Sequence, residues 1–222
     1  FIDEIHRLSK SIEEVLYPAM ESGVLDIIIG KGPSARTVQL ELPPFTLVAA
    51  TTRISLLSAP LRSRFSGGTF RLEFYTDEEI AEILKRSAGL LGIGVNDMIM
   101  NDIAKRCRAT PRTANYLLKR CRDMAQLEGG QLDESIVDRT FELLEIDTLG
   151  LGSPDRAVLE VIVQKFNGGP VGLNTIAAAT GEEQATIEDV IEPYLIRQGL
   201  LERTPRGRVA SATAYSHLQA AL

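Results

Sequence analysis

The sequence predicts an α/β segment, then an all-helical domain, then a small domain of three helices and a hairpin. Three observations predict that order. Residues 1–75 mix one amphipathic helix with short apolar runs bounded by Gly and Pro. From Thr76 to Asp147, apolar residues recur at helical spacing in four successive patterns. From residue 148 on, three shorter helical patterns lead into the strand–turn–strand LLERTPRGRVAS.

Composition narrows the class. The 222 residues allow one large domain or two to three small ones, and 44% hydrophobic with 24% charged residues is an ordinary soluble mix. A net charge of −6 excludes a protein that is basic all over, so any nucleic-acid contact must be a local patch. No apolar run reaches the ~18–20 residues of a membrane span; the longest, LVAATTRISLLSAPL, is interrupted by Arg53. Cys107 and Cys121 lack metal-ligand spacing, which fits two core thiols in a reducing cytoplasm.

The elements follow in order. The chain opens FIDEIHRL, without an initiator Met or a signal peptide. Phe1 and Ile2 read as the end of a buried strand, with the carboxylates of Asp3 and Glu4 at its tip. Ile12, Val15, Leu16 and Met20 give the apolar face of a helix from Ser9 to Ser22, closed by Gly23. LDIIIGKGPSARTVQLEL predicts two strands around a turn, with Leu40 and Leu42 alternating with polar residues as in a half-exposed strand. FTLVAATT predicts a buried parallel strand, and LSAPLRSRF a short helix ending in two arginines. Thr76 and Glu79 form a capping box for the first helix of the helical domain. NDMIMNDIAKRCRAT predicts the second helix, TPRTANYLLKRCRDMAQLEG the third with Pro111 in its first turn, and LDESIVDRTFELLEI the fourth. DTLGLGSPDR reads as a linker, with Ser153 as N-cap and Pro154 at the first helical position. Helices at 155–166, 174–180 and 185–197, then a hairpin and a terminal helix, have the layout of a winged helix.

Four pieces of this chain carry chemistry. A carboxylate at the C-terminal edge of a parallel strand faces the ligand crevice of an open α/β sheet. There, Asp3 could hold Mg²⁺ through water and Glu4 could orient an attacking water. A hydroxyl at the end of TLVAATTR could sense a γ-phosphate through the same water. PLRSRF offers two arginines, whose planar fork matches phosphate geometry. ATPRTAN places another arginine, Arg112, at a helix start. His6 is a weaker candidate base than Glu4, and His217 reads as structural or exposed.

In this order the four pieces resemble Walker B, sensor 1, arginine finger and sensor 2 of the AAA+ ATPases. DEIHRL, EEVLYPAME, IGKGPSAR, LPPFTLVAATTR, LSAPLRSRF, RLEFY, TPRTAN and EPYLIRQGLLERTPRGRVA are similar to the RuvB family, along nearly the whole chain. The resemblance implies the C-terminal part of an AAA+ P-loop NTPase core at 1–75, an all-helical lid domain at 76–147 and a winged-helix DNA-binding domain at 148–222. It implies a cytoplasmic, homo-hexameric ATPase that uses ATP and Mg²⁺. Such a motor moves double-stranded DNA at Holliday junctions with RuvA and RuvC, in recombination, DNA repair and the SOS response. It also implies a fragment, because the phosphate-loop motif G-x-x-x-x-G-K-[ST] is not in these residues. GKGPSAR lies in a hairpin and lacks the helix that must follow such a loop.

Residue by residue, the resemblance gives Asp3 as the Mg²⁺-associated carboxylate, Glu4 as the water-polarising one and Thr52, ahead of Thr51, as sensor 1. Arg64 matches the finger that reaches a neighbour's nucleotide, with Arg62 in support. Tyr75 and Arg112 match nucleotide contacts in the lid. Glu21, Ser22 and Gly23 fall where the family has an acidic pair and an aromatic near the nucleotide; this chain keeps Glu21 alone. SGG after Phe65 is one residue longer than the family pattern, and Gln184 stands near an arginine position. Ile27, Ile28, Ile29, Val38 and Leu40 match the hairpin that docks RuvA. Arg203, Arg206 and Arg208 form the basic wing. Two other readings stay open on these residues: a clamp-loader or initiator-type AAA+ protein, and a winged-helix regulator with a degenerate ATPase domain.

Overall fold

The structure, a computed structural model, describes residues 1–30, 36–94 and 96–220. They divide into two units, Phe1–Leu72 and Glu73–Leu222.

In the first unit, α1 (Lys10–Ser22) starts after Ser9 and stops at Gly23, whose φ of +68° a side-chain-bearing residue rarely adopts. Strands β1 (Val24–Ile29) and β2 (Arg36–Glu41) pair antiparallel, with Val24 opposite Glu41 and Ile29 opposite Arg36. Residues 31–35, most of GKGPSAR, lie outside the described residues. This register puts Leu25, Ile27, Ile29, Val38 and Leu40 on one face of the ribbon with Arg36. Every residue of β2 is exposed, so the half-exposed strand expected from its alternation is open on both faces.

FTLVAATT departs further from expectation. Among the described residues it forms a single parallel bridge, Ala49 to Ile2, in which Ile2 N donates to Val48 O and Ala50 N to Ile2 O, both at 2.9 Å. Phe1, beside that bridge, is 82% exposed. A 3₁₀ turn (Ile5–Arg7) follows the carboxylate pair and is anchored by buried Ile5. The short helix α2 (Ala59–Ser63) is capped by Ser58 Oγ, which accepts from Leu61 N. It is tied to α1 because Ser58 Oγ also donates to Glu13 Oε2 at 2.5 Å.

In the second unit, α3 (Asp77–Leu90), α4 (Asp97–Lys105), α5 (Pro111–Leu127) and α6 (Glu134–Leu143) enclose Ile80, Leu84, Met100, Ile103, Leu117, Leu118 and Phe141. The capping box forms as expected: Thr76 N donates to Glu79 Oε2 at 2.9 Å, and Glu79 N to Thr76 Oγ1 at 3.3 Å. Cys107 and Cys121 are free thiols in this core, and burial pushes Cys121 up to about 11, which leaves it unreactive.

The rest of the unit is α7 (Ser153–Glu160) running into a π turn (Val161–Lys165), then α8 (Leu173–Thr180). The short helix α9 (Gln184–Thr186) runs through a second π turn (Ile187–Ile191) into α10 (Glu192–Arg197). Strands β3 (Leu201–Thr204) and β4 (Gly207–Ala210) and helix α11 (Ala212–Ala220) close the fold around Leu159, Ile162, Ile176, Leu195 and Leu200. Gly152, not Ser153, is the N-cap of α7, because the Asp155 carboxylate reaches back to Gly152 N at 2.9 Å and takes over the capping.

DTLGLGSPDR does not behave as a loose linker. Asp147 Oδ1 accepts from Leu149 N and Leu151 N, both at 2.9 Å, and Asp147 Oδ2 is 2.8 Å from His217 Nε2. His217 is therefore structural. Arg108, between α4 and α5, donates to Asp155 Oδ2 at 3.2 Å and to Val190 O at 3.1 Å, and stacks 4.2 Å above the Tyr194 ring. Burial pushes the Asp155 carboxyl up while Arg108 pulls it down. Arg108→Ala should strand that carboxylate and cost on the order of 2–4 kcal/mol. The check is a lower denaturant midpoint for the unfolding of residues 73–222 at unchanged slope.

Candidate functional site

The bridge between Ile2 and Ala49 brings the ends of two strands together, and the polar residues just past those ends converge. Asp3 is exposed, and its Oδ1 accepts from Glu4 N at 3.0 Å. Glu4 has a left-handed backbone at φ +50°, an uncommon state for a residue with a side chain. Thr52 Oγ1 donates to Glu4 Oε2 over a long 3.4 Å, while Thr51 Oγ1 accepts from Arg53 N at 3.0 Å. His6 joins them, with Nδ1 2.8 Å from Thr51 Oγ1 and 3.2 Å from Glu4 Oε2. Sequence reasoning set His6 aside; its place two residues after the carboxylate pair, inside a tight turn, was the available signal.

The donor set bears on which metal could be held here. Among the described residues there is no cluster of three or more His, Cys, Asp or Glu able to hold a metal. Asp3 with one engaged oxygen suits an outer ligand acting through water, and Mg²⁺ keeps several waters and takes phosphate oxygens as ligands. The residues present therefore fit Mg²⁺ brought with a nucleotide, not a metal held by protein ligands alone.

Arg64 ends α2 as its C-cap and is folded back onto its own unit. Nη1 donates to Pro60 O at 2.8 Å, Nη2 pairs with Glu21 Oε1 at 2.9 Å, and the guanidinium lies 4.2 Å over the Tyr17 ring. Its Nε is buried without an acceptor among the described residues. Arg62 is exposed in the last turn of α2. Glu21 thus meets Arg64, while Ser22 ends α1 exposed and Gly23 supplies a backbone turn whose O accepts from Leu42 N at 2.7 Å. Gly23 has no side chain to offer a ligand.

Tyr75 and Arg112 belong to the second unit and are exposed; Arg112 stands in the first turn of α5, where backbone N–H groups favour an anion. On the hairpin, Ile27, Ile28, Ile29, Val38 and Leu40 are all exposed, Ile28 at 72%. The face shared by Ile27, Ile29, Val38 and Leu40 is an apolar surface of the kind that marks an interaction site, and Ile28 lies on the opposite face.

The wing divides its three arginines. Arg206, at the turn between β3 and β4, is exposed with no ion-pair partner among the described residues. Arg203 is exposed and pairs with Glu188 at 2.9 Å. Arg208 corrects the expectation of a third outward cation: it is 8% exposed, and its Nε and Nη2 both donate to Glu192 Oε2, at 2.9 and 2.7 Å. Glu192 is itself 2% exposed, so the desolvated carboxylate of α10 claims this guanidinium and clamps β4 to the helix.

Comparison with known proteins gives three family matches that tile the chain. The RuvB P-loop domain matches residues 1–72, the RuvB AAA lid domain 75–147 and the RuvB C-terminal winged helix domain 148–219. Among solved structures, a point mutant of Thermotoga maritima RuvB is 48% identical with a TM-score of 0.82, covering 99% of this chain and 69% of that one. The structure described as the Thermotoga maritima RuvB Holliday junction branch migration motor is 47% identical with a TM-score of 0.82, covering 99% of this chain and 68% of that one. With its P-loop-domain, lid and winged-helix segments all matched, this chain belongs to the RuvB family of AAA+ Holliday junction branch migration motors.

Proposed function

We propose that the chain works in an ATP-driven translocase that moves double-stranded DNA through Holliday junctions in recombination, DNA repair and the SOS response. The observation that carries the reading is the convergence of Asp3, Glu4, Thr51 and Thr52 at two adjoining strand ends. Glu4 polarises the attacking water, Thr52 senses the γ-phosphate, and Asp3 holds the metal's water shell. When bound, Mg²⁺ would neutralise charge on the phosphates. Tyr75 and Arg112 contact the nucleotide from the lid, and Glu21 lies near it. Arg64 leaves its own Glu21 and reaches a neighbouring copy's nucleotide in a cytoplasmic homo-hexamer. Residues 1–75, 76–147 and 148–222 act as ATPase core, lid and DNA-binding domain. The apolar hairpin face docks RuvA, and RuvC resolves the junction. These 222 residues contain no G-x-x-x-x-G-K-[ST], so by themselves they do not turn over ATP.

The wing supplies the test on DNA. Arg206→Ala and Arg203→Ala should each weaken binding about equally for two unrelated duplexes. Each should also flatten the slope of log K against log salt by about one unit. Arg208→Ala should instead leave the buried Glu192 with only the 3.5 Å ion pair from Arg203 among the described residues, costing about 3 kcal/mol of folding stability. Titrations at several salt concentrations, beside denaturant melts, separate the two effects. A preference between duplexes of ~1–3 kcal/mol per base change would favour an initiator-type reader over a motor.

A further inference from the structure

His6 occupies the 3₁₀ turn that follows Glu4, and that turn is pinned to the neighbouring strand end by Ile5 N donating to Ala50 O at 3.0 Å. The ring is 10% exposed, whereas the Glu4 side chain is 39% exposed. Two oxygens approach the same ring nitrogen: Glu4 Oε2 at 3.2 Å and Thr51 Oγ1 at 2.8 Å. A carboxylate is an acceptor only, so a lone pair on Nδ1 would face it unfavourably. The tautomer follows: Nδ1 carries the hydrogen and shares it between the two oxygens. Thr51 Oγ1 then accepts from both His6 and Arg53 N, which fills its lone pairs and leaves its own O–H to donate elsewhere.

We infer that His6 is a positioning residue, whose Nδ1–H holds the Glu4 carboxylate against the strand end that carries Thr51 and Thr52. The inference rests on the proposed role of Glu4. Without this link the half-exposed carboxylate keeps, among the described residues, the long contact from Thr52 alone, and small misplacements of a reacting group are costly.

The first test uses the 222-residue chain. Its two histidines, His6 and His217, make the imidazole nitrogen NMR signals few, and a His6→Asn spectrum assigns them. The expected result is a hydrogen on Nδ1; an Nδ1 without one would overturn the inference. The second test measures turnover in a chain that carries a phosphate loop ahead of Phe1. His6→Leu should lower kcat about ten- to a hundredfold with the ATP KM unchanged. His6→Asn, whose amide N–H falls near the Nδ1–H, should stay within about threefold of the parent. A residue that merely filled space would tolerate Leu better than Asn, and that order of effects would overturn the positioning role. Should His6→Leu fail to fold, the tautomer and the Asn variant decide. Turnover untouched by Glu4→Gln would defeat the reading of Glu4 itself. A silent His6→Leu beside a dead Glu4→Gln would defeat the inference about His6 alone.

Discussion

In a chain that carries a phosphate loop ahead of Phe1, Glu4→Gln is expected to bind ATP normally and hydrolyse it at least about 100-fold more slowly. Gln keeps the shape and one oxygen of Glu but cannot take up a proton, so Thr52 can still donate to it while the water is no longer activated. Binding should survive because it draws on phosphate-loop donors that the substitution does not touch. Equilibrium titration with a fluorescent nucleotide and steady-state phosphate release are the two measurements. The 222-residue chain alone serves as the blank. Unchanged turnover in the variant would remove Glu4 from the chemistry.

Arg64→Ala is expected to lower hydrolysis by about 10³-fold or more while sparing nucleotide binding, the effect of losing an arginine finger. The geometry adds a complication that separates two roles. Arg64 is held in its own subunit by Glu21, Tyr17 and Pro60 O, so the variant also loses local contacts. Mixing resolves this. Glu4→Gln subunits keep an intact Arg64, and Arg64→Ala subunits keep an intact Glu4. If the arginine acts in trans, two inactive proteins should regain activity when mixed, at roughly a quarter of interfaces in a random ring. A mixture as inactive as its parts would show that Arg64 serves its own subunit.

Local signals in the sequence translated well into local structure. The capping box at Thr76 and Glu79, the stop at Gly23 and the Pro111 start of α5 each depend on neighbouring residues and appear as expected. Alternation gave the hairpin, because one face of a two-stranded ribbon repeats every second residue. Features that depend on distant partners were not legible. Arg208 and Glu192 look like two surface charges sixteen residues apart until β4 lies against α10 and dries both. FTLVAATT reads as a buried parallel strand because an apolar run implies cover on both faces; among the described residues the parallel pairing appears as the bridge of Ala49 to Ile2. The attachment of Arg64 to Glu21 required α1 and α2 to be brought side by side. His6 was discounted as a base, and its role as a tether became visible only with Thr51 placed against it.

The clamp around Arg108 has a mechanical consequence. Asp155, Val190 and Tyr194 all lie beyond the point where the helical lid gives way to the winged helix, and one guanidinium grips all three. Asp147 and His217 fasten the same junction from its other side. Residues 73–222 therefore form one compact unit rather than two bodies on a string. In the proposed motor, a rotation of α3–α6 on nucleotide turnover would be carried through these contacts to Arg203 and Arg206. Loosening that junction would leave ATP consumption running while the stroke delivered to DNA shortened.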